Sequence, residues 1–161
     1  MLGWLKRKKS YPEDAKRLLQ LSQIIPVTCT TTILDAFPPV AEMFRRPGFS
    51  VEQHWDFFAT CACLGTGLFL YGHDRPNDVR PFATALLEEV SSNWNQQAPS
   101  AIDDFQKFVN RNTASGFDLA TSVGSWVLWN LKGDAPSESE MSAVPAIGTL
   151  IVNGLQGWHK S

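Results

Sequence analysis

His73-Asp-Arg-Pro-Asn-Asp78 is the densest polar run in the chain, and it holds residue types that chemistry needs. An imidazole beside a carboxylate can act as a base, and a guanidinium can hold an anion. His73, Arg75 and Asp78 are therefore the candidate ligand-binding residues. The competing expectation is a helix-ending loop in which a histidine meets the negative end of the helix dipole. Glu52 and Asp56, four residues apart, share a helix face. Burial can split the pKa values of such a pair for acid–base work. Acidic side chains in the first turns of a helix also favour its dipole with no function at all. Asp103 and Asp104, just inside a helix beginning near Ser100, have that same explanation.

The stretch HWDFFATCACLGTGLFLYGHD, residues 54–74, concentrates two of the three cysteines and two of the three histidines. On a helix Cys61 and Cys63 point ~200° apart. His54 lies a rise of ~10 Å before Cys61, whereas zinc ligands must all sit within ~2.0–2.3 Å of one ion. No local metal site is expected, and no cofactor. Glycine-rich phosphate loops, nucleophile elbows and dinucleotide fingerprints are absent, and Gly65-x-Gly67 lies inside the apolar run. Residues 57–72 carry no charge, yet a helix of that length reaches only ~24 Å of a ~30 Å hydrocarbon core. The expectation is a central core helix over residues ~50–72. Cys61, Cys63 and Phe69 should be buried in it, Val51 and Trp55 should share one of its packed faces, and Gly65 or Gly67 should lie against another helix.

The elements that must position these groups read as helices. Ser10-Tyr-Pro-Glu13, Ser50-Val-Glu-Gln53 and Ser137-Glu-Ser-Glu140 have the S-x-x-E/Q form of a capping box. Apolar residues recur at three- and four-residue steps in Leu18, Leu19, Leu21 and Ile25, ending at Pro26. The same spacing recurs in Val79, Phe82, Leu86 and Val90; in Ile102, Phe105 and Val109; in Val123, Val127 and Leu131; and in Val144, Ile147, Ile151, Leu155 and Trp158. Pro38-Pro39 separates a short helix from one starting near Pro39. No alternating strand pattern stands out. The expected fold is all-α, a single domain over residues 10–161 of six to eight helices around the central one.

The 161 residues carry a net charge of −2 that hides an asymmetry. Lys6, Arg7, Lys8 and Lys9 make residues 1–9 basic, leaving ten basic against sixteen acidic residues, or −6, in the body. An acidic body argues against nucleic acid, which needs lysine and arginine spread over a surface. In residues 1–9 apolar side chains precede the basic ones, the reverse of a secretory signal. Trp4, Lys6, Arg7, Lys8 and Lys9 could touch an anionic membrane weakly, or form a solvated tail. Three cysteines without framework spacing suit a reducing cytoplasm.

Charged residues are 19% of the chain, below the usual ~25%, and there are six tryptophans; both favour a partner or self-association surface. The expectation is a non-enzymatic cytoplasmic helical protein-interaction domain of adaptor, chaperone or inhibitor type. One alternative is a bundle holding a small apolar ligand or cofactor among Phe57, Phe58, Phe69, Trp126 and Trp129. The other is an enzyme using the 73–78 loop or a thiol.

Overall fold

Each of the three predicted serines opens a helical element. Ser10 Oγ accepts from the Glu13 N–H at 3.4 Å and starts α1 (Tyr11–Ala36). Ser50 Oγ accepts from the Gln53 N–H at 3.2 Å, but the element it opens is a π-helical segment, Val51–Asp56. Ser137 and Glu140 make the complete reciprocal box at the head of α7 (Glu138–Met141), where Lys132 also pairs with Glu140 at 2.8 Å. The remaining elements are α2 (Pro38–Phe44), α3 (Phe57–Asp74), α4 (Val79–Asn93), α5 (Ala98–Ala114), α6 (Leu119–Lys132) and α8 (Val144–Leu155). The computed structural model describes residues 10–160, and among these there is no strand. Residues 1–9, with their predicted membrane-contact side chains, lie outside the described residues.

α3 is the centre. It packs against α1, α4, α5, α6 and α8, and eleven of its residues, Ala59 to Leu68 and Tyr71, are buried. Cys61 and Cys63 are fully buried, as expected. Gly65 takes the Phe105 ring of α5 against its backbone, and Gly67 takes Leu18 of α1, so a methyl at either position would collide. The tightest helix crossing lies elsewhere. Gly124 of α6 and Gly148 of α8 bring backbone onto backbone, next to the carbonyls of Val144 and Ala120 respectively.

Three local expectations need correction. α1 does not stop at Pro26 but runs on to Ala36, absorbing what was expected to be a separate short helix. An internal proline costs ~3 kcal/mol. Here Pro26 is itself buried beside Ile25, its carbonyl accepts from Thr30 Oγ1 at 2.7 Å and from the Trp55 indole at 3.3 Å, and packing offsets the lost bond. Phe69 is only half-buried, because the flank it shares with Leu70 is incompletely covered. Val51 does not share Trp55's buried face: it is exposed with Glu52 and Gln53, since the first π turn stands clear of neighbouring helices.

No single helix among the described residues is long and apolar enough to cross a membrane. α1 and α2 pass that test only as a pair bent by 119°.

Candidate functional site

The two ends of the central helix hold the polar groups of interest. At the C-terminal end, His73 is exposed, on the last turn of α3. Arg75 lies over the Tyr71 ring at 5.5 Å and donates to the His159 carbonyl at 3.4 Å. Asp78 accepts from the Tyr11 hydroxyl at 2.8 Å. Arg75 and Asp78 are thus each engaged by contacts internal to the fold, with different partners, while His73 is exposed.

The histidine that does meet a carboxylate there is His159. Its side chain is 1% exposed, and Nε2 stands 2.8 Å from Asp74 Oδ2, at ion-pair distance but outside hydrogen-bond alignment. Burial lowers the His159 pKa; Asp74 opposes the shift, while Arg75 and Lys160 add to it. Desolvation works to raise the Asp74 carboxyl, but Lys160 and His159 outweigh it and hold it below the ordinary value. The segment carrying His159 is fastened at several points. The Trp158 indole donates to the Gly67 carbonyl at 3.1 Å, the Arg17 guanidinium donates to the Trp158 carbonyl, and Trp158 packs on Tyr71 and Phe82. Nothing in the local sequence around residues 156–160 marked this role.

At the N-terminal end the π segment opens onto a cleft of about 760 Å³ between α1, the head of α3 and the α4–α5 connection. Two neighbouring cavities are about half that size, at about 360 and 380 Å³. The wall holds Glu52 and Asp56, the amides of Gln23, Gln53, Asn95 and Gln97, and the rings of Phe57, Phe58 and Trp94. Phe57 stacks on Trp94 at 5.7 Å and meets Phe58 edge-on at 5.1 Å. His54 is set against the Phe49 ring at 5.0 Å, with Nδ1 3.0 Å from the Ser50 backbone nitrogen. The Ser50 carbonyl oxygen is also 3.0 Å from Nδ1, so whether that nitrogen donates or accepts follows the tautomer of the ring.

Burial and the neighbouring Glu52 raise the Asp56 pKa. No lysine or arginine lines this wall, and no described cation forms an ion pair with either carboxylate. The helix dipole accounts for Glu52, in the first turn. Asp56 occupies the N-cap position of α3 but makes no side-chain capping hydrogen bond there.

The thiols are poorly placed for chemistry. Burial pushes Cys61 to about 12 and Cys63 well above its usual value, and also raises Cys29. A thiol held protonated is a weak nucleophile. Among the described residues no group of three or more histidine, cysteine or acidic side chains is arranged to hold a metal ion. Nor do the five aromatics expected around an apolar ligand converge on one cavity. Phe57 and Phe58 line the cleft, Phe69 is half-buried near the far end of α3, Trp126 is buried with its indole on Asp104 at 2.9 Å, and Trp129 is exposed.

Comparison with protein-family models, with curated proteins and with solved structures finds no match. The described residues form an all-helical domain with an open cleft of about 760 Å³ at the head of its central helix.

Proposed function

We propose that this chain is a protein-interaction domain that acts by holding a partner in the cleft at the head of α3, without catalysis. One observation carries the reading: a cleft of about 760 Å³ whose wall combines aromatic rings with two carboxylates that meet no lysine or arginine among the described residues. Rings supply contact area at low entropic cost, and amides supply adaptable hydrogen bonds; both suit recognition of a side-chain surface. Val27, 67% exposed on the rim, extends the apolar contact beyond the cleft. The 73–78 loop is less suited to a ligand, because Arg75 and Asp78 already serve the fold. Three unpaired cysteines fit a reducing cytoplasmic setting.

The test is site-specific photocrosslinking in cell extract. A photoreactive residue at Val27 should capture a discrete partner, while the same residue at exposed Phe117, outside the cleft, should not. Equal capture from both positions, or none from Val27, overturns the reading.

A further inference from the structure

We infer that the cleft selects a basic segment of its partner, one in which lysine or arginine side chains alternate with aromatic or aliphatic ones. This rests on the cleft being the partner site and goes further by naming what enters it. Glu52 and Asp56 both line the cleft, and among the described residues no lysine or arginine in its wall answers them. Two like charges four residues apart on one helical face repel each other. An arrangement that leaves this repulsion standing, with one carboxylate partly desolvated, is completed by a cation from outside.

The rest of the wall specifies what the cation is attached to. The Phe57, Phe58 and Trp94 rings offer apolar surface, and an aromatic face attracts lysine or arginine. Val27 on the rim meets an apolar neighbour of that cation. Gln23, Gln53, Asn95 and Gln97 can bond the partner's backbone without favouring either sign of charge. A phosphate-bearing partner would face two carboxylates and no lysine or arginine, so nucleic acids and phosphopeptides are disfavoured. The π-helical winding fits this assignment, since such segments recur at functional sites and are rare elsewhere.

The experiment uses the full chain and a fluorescein-labelled nonapeptide of lysine, arginine, tryptophan and leucine, followed by anisotropy. A second peptide replaces every lysine and arginine with glutamate, and a third replaces them with glutamine. The basic peptide should bind, more weakly as salt rises, and the other two should bind at least tenfold more weakly. The double variant Glu52→Gln/Asp56→Asn should lose about tenfold in affinity for the basic peptide. Glu88→Gln/Asp103→Asn, which removes the same charge from exposed positions outside the cleft, should leave affinity within about twofold. A thermal midpoint no lower than that of the unaltered chain shows that the cleft variant is folded. Equal binding of the three peptides overturns the inference, as does equal loss from the two double variants. A partner crosslinked through Val27 whose capture ignores Glu52→Gln/Asp56→Asn sinks the basic-segment assignment and leaves the cleft standing. Peptide binding that still occurs when crosslinks arise only from Phe117 sinks the cleft itself.

Discussion

At the C-terminal end of α3, Asp74 faces His159 and Lys160, Arg75 donates to the His159 carbonyl, and Asp78 accepts from Tyr11. At the N-terminal end, Glu52 and Asp56 face a cleft with no lysine or arginine in its wall. One helix thus separates a polar cluster whose charges answer one another from a pair of charges left unanswered. The contrast is not visible in the density of polar residues along the chain. By density the 73–78 loop is the stronger candidate; by carboxylates that line a cleft and meet no lysine or arginine among the described residues, the π segment is.

The largest effect that can sharpen this contrast is on the closed end. Trp158→Ala removes a buried ring that bonds Gly67 and packs on Tyr71 and Phe82, and should cost ~3–5 kcal/mol in chemical denaturation. At a temperature where the variant is still folded, binding of the basic peptide should not change. Joint loss of both properties would show that the two ends are not separable.

Next in size is Asp74→Asn, which should lower the urea midpoint by breaking the contacts to His159 and Lys160. The pH dependence has a defined sign. His159 has a lowered folded pKa, so its contribution is fully present above about 6.5 and is lost as pH falls from there through the folded value. Asp74, also lowered, contributes above the ordinary carboxylate range and loses that contribution only at more acidic pH. Urea midpoints measured from pH 8 to pH 5 should therefore fall, and His159→Gln should flatten the curve. An unchanged curve in that variant would remove His159 as the source.

A smaller effect of opposite sign belongs to the open end. Asp56 has a raised pKa, so its ionised form is unfavourable in the fold: its contribution is present below the carboxylate range and lost as pH rises through the raised value. Asp56→Asn should stabilise the chain at neutral pH by a few tenths of a kcal/mol while weakening partner binding. Destabilisation by Asp56→Asn would mean that this carboxylate serves the fold after all, and the contrast between the two ends would fail. The smallest effect is expected of His73→Ala, at less than ~0.5 kcal/mol, because His73 is exposed. Loss of partner capture in that variant would return the loop to the functional side.

How much of this was legible follows from the range of the forces involved. Ser10, Ser50 and Ser137 declare helix starts within four residues, and each opens a helical element, π-helical in the case of Ser50. Pro26 misleads because its local cost is outweighed by packing of Ile25 and Pro26 in the core and by Trp55, 29 residues away. The Glu52–Asp56 pair was visible as a spacing, but its lack of a counter-charge was not. A carboxylate is unanswered only once every neighbouring element is in place.

From the sequence alone came the helical class, the central apolar helix, its buried cysteines and the acidic body, all set by periodicity and composition. Only the tertiary structure decided which histidine meets a carboxylate. His73 has the polar neighbours in the chain, but His159, 84 residues from Arg75, has the buried place and the partner. The same holds for the cleft, whose wall draws on α1, the π segment, α3 and the α4–α5 connection. Short-range preferences select elements. Which side chains are desolvated together depends on contacts between residues far apart in sequence, and no local pattern encodes them.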